Sequence, residues 1–242
     1  MGSRGTSGGA DRIAPLALIY DVHGNLPALE AVLGDARGAG VDRFMLGGDY
    51  ALFGGWPAET VQALRELPAA GWIRGNCERE SGETDPAPDN PVLRSAVAGL
   101  REVLDAALIA ELAALPEQVV LEGTRYCHAS PVSDMRSFLP EAADDEDELL
   151  DGVEERRLVF GHTHLPFVRG SSRGIELINP GSVGMPFDGD PRAAYALVDD
   201  DGGVEPRRVA YDHAASAAAV RERFGDADWT RAVMRRISTA RP

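Results

Sequence analysis

Residues 16–25 read LALIYDVHGN, a short apolar run that changes abruptly into polar residues and glycine. The unbroken run Leu16–Tyr20 is typical of a buried strand in a parallel sheet, because such strands are covered on both faces. Asp21 and His23 come directly after its end. Asn25 is placed to cap a following helix, whose apolar face is formed by Leu26, Leu29, Val32, Leu33 and Ala36.

Strand-like and helix-like segments continue to alternate along the chain. Such alternation predicts a parallel sheet covered by helices, and the short strands that follow residue 160 add an antiparallel part. The predicted elements after the first helix are, in chain order, strand Asp42–Leu46, helix Pro57–Leu67, strand Trp72–Ile73, a long helix at roughly Val92–Leu115, a hairpin of Glu117–Leu121 and Arg125–His128, strand Leu158–Phe160, strands near Phe167, Ile175–Ile178, Ala193–Val198 and Val204–Val209, and two closing helices.

The composition limits the class of protein. The 242 residues fit one α/β domain, which we expect to span residues 13–242 after a Gly- and Ser-rich tail, residues 1–12, expected to be disordered. The net charge of −15 argues against polymeric nucleic acid as a partner. No apolar run approaches the ~20 residues of a membrane span, so no membrane partner is predicted. The two cysteines, Cys77 and Cys127, indicate a reduced, cytoplasmic protein rather than a disulfide framework.

Polar side chains able to bind metal follow five of the predicted strands, where each strand ends. Ligand sites of open α/β sheets lie outside the carboxyl ends of strands, so five loops are expected to converge on one place. The side chains concerned are Asp21, His23, Asp49, Asn76, His128, His162 and His164. Seven ligands are too many for one catalytic ion and suit two ions that share a carboxylate. Oxygen and nitrogen donors suit Mn²⁺, Fe²⁺, Co²⁺, Ni²⁺ or Zn²⁺.

Each motif alone has an ordinary structural interpretation. Gly75-Asn76 is a common hairpin-turn pair, and a single His128 would most simply be a half-buried structural histidine. The pair His162 and His164, on a loop after a buried strand, is harder to explain as part of a core. The evidence for a site is the combination, which includes four of the five histidines of the chain.

The order of these motifs resembles that of the calcineurin-like metallophosphoesterase superfamily. The resemblance runs from Leu16 to at least Val198 and includes the stretch NPGSVG at residues 179–184. It implies a four-layer αββα sandwich of two mixed β-sheets flanked by helices. It also implies that Asp49 bridges two metal ions, with manganese the expected metal. The ligands it implies are Asp21, His23 and His164 for the first ion and Asn76, His128 and His162 for the second.

The resemblance also implies a reaction. Two ions would clamp a phosphate ester and generate hydroxide for in-line attack on phosphorus, with Asp49, Asn76 and His128 as catalytic residues. Asn76 would contact the phosphate as well, and Asn25 is a further candidate for substrate binding. The family's catalytic histidine is replaced by Cys77, which is then either a poorer proton donor or an inert residue. Phosphodiesters with good leaving groups should therefore be preferred.

Three functions remain in competition at this point. The first is hydrolysis of a small phosphorylated substrate, for which nucleotide-like compounds are candidates. The second is a non-catalytic metal-binding scaffold on the same fold, which the replacement at Cys77 keeps open. The third is a phosphoprotein phosphatase, suggested by residues 75–78 (GNCE), although the sequence after Asp49 lacks the Asp-Arg-Gly extension of those enzymes. The natural substrate and the oligomeric state are left open.

Overall fold

The computed structural model describes residues 14–85 and 89–242, and the predicted tail, residues 1–12, lies outside them. The strands are β1 (Leu16–Ile19), β2 (Phe44–Leu46), β3 (Ala69–Trp72), β4 (Gln118–Leu121), β5 (Thr124–Cys127), β6 (Arg157–Val159), β7 (Phe167–Gly170), β8 (Glu176–Asn179), β9 (Ala193–Val198) and β10 (Val204–Val209). The helices are α1 (Leu26–Gly38), α2 (Pro57–Arg65), α3 (Asn76–Gly82), α4 (Pro91–Val103), α5 (Ala106–Ala113), α6 (Glu146–Leu149), α7 (His213–Phe224) and α8 (Asp228–Thr239).

The strands form two mixed sheets of five. The first has the order β10-β9-β1-β2-β3, in which β1, β2 and β3 are parallel and β9 and β10 are antiparallel to their neighbours. The second has the order β4-β5-β6-β8-β7, with β5, β6 and β8 parallel and an antiparallel strand at each edge. The parallel strands of each sheet are neighbours, so their carboxyl ends lie at the same edge of that sheet.

The two sheets face each other across a shared apolar layer. Leu18 and Met45 of the first sheet lie in one buried cluster with Tyr126, Val159 and Ile178 of the second. Because successive side chains of a strand point to opposite faces, the neighbours of these residues face outward to other layers.

Helices cover the outer faces of the sheets. Ala17 and Ile19 of β1 pack in a cluster with Leu29 of α1 and Val61 of α2. On the other side, Leu158 packs against residues of α6 and its neighbouring loop. The predicted four-layer sandwich of two mixed sheets flanked by helices is confirmed.

Two helix predictions were wrong in detail. The predicted single helix at 92–115 is divided into α4 and α5, because Leu104 has extended backbone and Asp105 accepts a hydrogen bond from the amide of Ala107. Asp105 is thus a helix cap inside an otherwise helical pattern. The short helix α3 was not predicted, since Gly75-Asn76 reads as a turn, yet Gly75 caps a helix that begins at Asn76.

Within the described residues, no helix has both the length and the apolar character needed to cross a membrane.

Candidate metal centre

Five loops at the carboxyl ends of β1, β2, β3, β5 and β6 place the seven predicted side chains together. Six of the seven are buried, and His162 is half-buried. Five of them have left-handed backbone, which is uncommon outside glycine and costs about 1–3 kcal/mol per residue. Those five are Asp21 (φ 54°), His23 (φ 50°), Asp49 (φ 58°), His162 (φ 67°) and His164 (φ 58°). Backbone strain is therefore concentrated in the loops that carry the candidate ligands.

One half of the site is formed by Asp21, His23 and His164. The Nε2 atoms of His23 and His164 are 3.1 Å apart, and Nε2 of His164 is 3.5 Å from Oδ1 of Asp21. The Nδ1 atoms of the two rings lie 3.2 Å from the carbonyl of Leu52 and 2.5 Å from that of Met185. When each Nδ1–H donates to its carbonyl, the Nε2 atom of each ring keeps a free lone pair. The two Nε2 atoms face each other, as the histidine ligands of one metal ion do.

The other half is formed by Asn76, His128 and His162. The side-chain oxygen of Asn76 lies 3.0 Å from Nε2 of His128 and 3.0 Å from Nδ1 of His162. His128 is oriented through its Nδ1, which is 2.9 Å from the carbonyl of Gly47. The backbone amide of His162 donates to Oδ2 of Asp21, which links the two halves.

Asp49 lies between the halves. Its Oδ2 is 3.7 Å from Nε2 of His23, and its Oδ1 is 3.4 Å from Nε2 of His128. The amide of Cys77 donates to Oδ1 at 2.9 Å, and the Cys77 thiol donates to Oδ2 at 3.1 Å. Each oxygen of Asp49 is thus presented to a different half of the site.

The electrostatics of the site suit cations. Burial alone would raise the pKa of Asp49, but His128 and His23 hold that pKa well below its usual range. Burial disfavours charge on the histidines and lowers the pKa of His23 to about 4. For His128 the carboxylates of Asp49 and Asp21 outweigh burial and raise its pKa to about 10. The buried carboxylates therefore create a field that attracts positive charge.

The donor atoms also fit metal ions sterically. Ligand atoms of Asp21, His23 and His164 all lie within 4.8 Å of one another, and so do those of Asp21, Asp49 and His128. In the part of the chain that the structure describes, buried Oδ1 of Asp21 has no hydrogen-bond partner. A buried acceptor without a donor is costly, and a divalent cation would satisfy it.

Cys77 occupies the position where the family resemblance places a histidine. Its side chain is buried, and burial together with Asp49 and Glu78 raises the pKa of the thiol well above its usual range. The thiol therefore stays protonated and donates to Asp49. Cys127 is buried in the apolar cluster behind the second sheet, as expected for the neighbour of His128 on a strand.

Glu78 is a residue that the sequence reasoning missed. Its Oε2 accepts hydrogen bonds from the amides of Asp49 (2.8 Å) and Gly75 (2.9 Å), and its Oε1 accepts one from the amide of Tyr50 (2.8 Å). Burial and the nearby Asp49 raise the pKa of Glu78 to about 7. Glu78 fastens the Asp49 loop to the start of α3. Its place three residues after the cap Gly75 is the capping-box position, a signal visible only once α3 is predicted.

Asn25 has structural contacts. Its Oδ1 accepts from the amide of Ala28 at the start of α1, and its amide group donates to the carbonyl of Gly184 (2.8 Å) and the hydroxyl of Tyr211 (3.1 Å). Substrate binding by Asn25 stays a prediction. The contact with Gly184 shows what the NPGSVG stretch does, since it ties the segment after β8 to the β1 loop.

Comparison with known proteins gives the family of the chain. Residues 15–203 match the calcineurin-like phosphoesterase superfamily domain, and the chain therefore belongs to this family. It is a phosphoester hydrolase of a metal-dependent family.

Individual relatives span most of the chain. A metallophosphoesterase structure from Sphaerobacter thermophilus is 30% identical with a TM-score of 0.78, covering 94% of this chain and 99% of that one. Phosphodiesterase YfcE of Escherichia coli strain K12 is 30% identical over 197 residues, covering 77% of this chain and 88% of that protein. The uncharacterized protein MJ0912 of Methanocaldococcus jannaschii is 30% identical over 219 residues, covering 81% of this chain and 88% of that protein.

Proposed function

We propose that this chain hydrolyses small phosphodiesters with the help of two divalent metal ions that share Asp49. The observation that carries the proposal is the position of Asp49, whose two carboxylate oxygens face His23 in one half of the site and His128 in the other. The first ion would be held by Asp21, His23, Asp49 and His164, and the second by Asp49, Asn76, His128 and His162.

The types of donor atom in the site indicate which metal ions it would bind. Nitrogen and oxygen donors without a thiolate favour Mn²⁺, with Fe²⁺, Zn²⁺, Co²⁺ and Ni²⁺ as alternatives. When bound, a pair of such ions neutralises charge on phosphate oxygens and lowers the pKa of water. The Cys77 thiol also lies within 4.8 Å of ligand atoms of His23 and Asp49, but it donates to Oδ2 of Asp49, and we assign it the role of a donor to that carboxylate and not of a ligand.

Hydrogen bonds within the chain orient the side chains of the site. The carbonyl of Gly47 fixes the ring of His128, and the amide of Cys77 fixes the carboxylate of Asp49. The side-chain oxygen of Asn76 is turned toward the two histidines, so its amide group can donate to a phosphate oxygen. The Cys77 thiol donates to Asp49 and is not free to protonate a leaving group. We therefore expect substrates whose leaving groups depart without a proton.

The similarity to a protein named phosphodiesterase supports the choice of diesters. The net charge of −15 favours a small substrate over polymeric nucleic acid. Two free, buried cysteines fit the reducing cytoplasm, where we propose that the protein acts.

The alternative of a scaffold without activity, which the replacement of the family's histidine by Cys77 left open in the sequence, is disfavoured by the family match and by the site. A scaffold has no need of seven side chains aimed at one point, five of them on strained backbone. The test is hydrolysis of bis(p-nitrophenyl) phosphate after chelation and after addition of Mn²⁺. We expect turnover to disappear with the chelator and return with Mn²⁺. A metal-loaded protein that never turns this ester over would contradict the proposed phosphodiesterase function.

A further inference from the structure

A groove of about 290 Å³ is lined in part by His128, and therefore lies beside the candidate metal centre. Arg79 of α3 lines the groove one helical turn after Asn76, so the groove continues from the candidate phosphate position. The remaining lining residues are Arg74, Glu117, Gln118, Ser130, Pro131, Val132, Ser133 and Asp134. A phosphate ester held at Asn76 and His128 has room in this groove for an alcohol group.

The groove contains two guanidinium groups, and both are already paired. Arg79 donates from Nε to Oδ2 of Asp134 at 2.6 Å and from Nη2 to Oδ1 of the same carboxylate at 3.2 Å. Arg79 also pairs with Glu83 at 2.8 Å and with Glu80 at 3.2 Å. Two arginines would otherwise make this groove an obvious site for a second phosphate.

Arg74 also has a carboxylate partner, although its buried Nε has no hydrogen-bond partner among the described residues. It donates to Glu117 at 2.5 Å and to the carbonyl of Ala113 at 3.2 Å. The formal charges of the lining arginines and carboxylates therefore cancel. A second anionic group would have to displace Asp134 or Glu117, or stand beside them unpaired, and like charges at such distances repel.

The groove is well supplied with partners for hydroxyl groups. The carboxylates of Asp134 and Glu117 can accept from a hydroxyl while they remain paired, because each carboxylate oxygen has more than one lone-pair site. The hydroxyl of Ser133 accepts from the amides of Met135 and Arg136, which leaves its own proton to donate. The groove therefore offers both donors and acceptors to a hydroxyl group.

We propose that this groove binds the alcohol portion of the substrate, and that its paired charges select an uncharged, hydroxyl-bearing alcohol over one that carries a second anionic group. The proposal rests on the phosphodiesterase function proposed above and narrows it. It favours esters of the glyceryl or nucleoside type and disfavours pyrophosphate-linked substrates.

The test compares three-carbon phosphate monoesters that differ only at the far end. The ligands are propyl phosphate, 3-hydroxypropyl phosphate and 2-carboxyethyl phosphate, and their dissociation constants are measured by calorimetry on the Mn²⁺-loaded protein. We expect the hydroxypropyl ester to bind roughly tenfold more tightly than the propyl ester, as one or two hydrogen bonds allow. The carboxyethyl ester should bind most weakly.

Two variants test the role of the paired charges. Glu117→Gln removes the exposed carboxylate partner of Arg74, and Asp134→Asn removes the groove carboxylate that holds Nε of Arg79, which keeps Glu80 and Glu83 as partners. Both should improve binding of the carboxyethyl ester at least severalfold relative to the propyl ester. Asp226→Asn is the matched control, because it removes a carboxylate partner of Arg231 on the surface, outside the groove. It should leave the order of the three ligands unchanged.

The outcomes separate this proposal from the function on which it rests. Equal binding of the three esters, or no change of preference in both groove variants, would overturn the assignment of the groove. Failure to hydrolyse bis(p-nitrophenyl) phosphate would instead overturn the phosphodiesterase function, whatever the order of affinities.

Discussion

Asp49 combines several features that are energetically unfavourable for a carboxylate. It is buried with left-handed backbone, its oxygens accept from both the amide and the thiol of Cys77, and two histidines approach it from opposite sides. A buried carboxylate in such a position is stable only if positive charge compensates it. This cost supports the proposal that a metal ion lies beside Asp49.

Asp49→Asn should abolish turnover and leave the fold intact, because it removes the shared negative charge but keeps the shape of the side chain. We expect a loss of more than ~10²-fold in kcat, by analogy with the removal of a charge-stabilising group from other active sites. The loss should exceed that of His128→Ala. Near-normal activity of Asp49→Asn with unchanged metal content would contradict the shared-carboxylate account; circular dichroism would verify the fold.

Cys77→His should restore a proton donor. Imidazolium can protonate a leaving alcohol near neutral pH, whereas a thiol with a raised pKa that is bonded to Asp49 cannot do so readily. The measurement is kcat/KM for one aryl and one alkyl phosphodiester. We expect a gain on the alkyl ester that approaches ~10²-fold and little change on the aryl ester. Equal effects on both esters would show that position 77 does not handle the proton.

The sequence predicted the roles of some residues of the site and not of others. The seven candidate ligands could be predicted because each follows an apolar run that marks a strand end. Glu78 could not, because its function depends on three backbone amides that only the folded loops bring to it. The capping contacts of Asn25 could be predicted from its place before α1, whereas its contact with Gly184 crosses 159 positions.

At the scale of elements, the turn between β2 and Asp49 is the most tightly constrained connection of the site. Gly48 has φ +96°, and a Cβ there would lie 2.6 Å from the amide nitrogen of Gly75 and 2.7 Å from Nδ1 of His128. Three loops thus meet at a point where no side chain fits. The strand periodicity predicts that a turn is present, but close approach between loops distant in sequence leaves no local pattern.

Gly48→Ala and Gly40→Ala form a matched pair. Both glycines have left-handed backbone, but a methyl group added at Gly40 (φ +81°) would meet no atom of the described residues within 4 Å, so this substitution should cost only about 1–2 kcal/mol of stability. Gly48→Ala should in addition displace His128 or the Asp49 loop and weaken metal binding by about 10–100-fold. Thermal unfolding and metal titration of both variants measure the two effects. Equal metal affinity in both would contradict the packing of these loops.

The helices show why element boundaries were the weakest part of the sequence prediction. Apolar spacing runs without interruption from α4 into α5, and only the capping contact of Asp105 separates them. The hairpin of β4 and β5 was easier to predict, because Gly123 is a sequence signal for a tight turn. Glu122 and Gly123 both have the positive φ that a two-residue turn requires.

At the scale of the whole molecule, two sheets from different parts of the chain complete one site. β1, β2 and β3 bring Asp21, His23, Asp49 and Asn76, while β5 and β6 of the other sheet bring the remaining histidines. The alternation of strands and helices predicted the parallel pairing of β1, β2 and β3, whereas β8, which follows residue 160 where an antiparallel part was expected, is parallel to β6. The pairing of the sheets face to face was implied by family resemblance alone, because apolar runs do not specify which buried strands face each other.

The central claim is that two metal ions sharing Asp49 are needed for turnover. The most direct measurement is a titration of metal-free protein with Mn²⁺, in which bound metal per chain and hydrolysis of bis(p-nitrophenyl) phosphate are followed in the same samples. The account predicts that activity reaches its plateau only as the second ion per chain binds. Full activity at one ion per chain, or turnover that persists after complete metal removal, would contradict it.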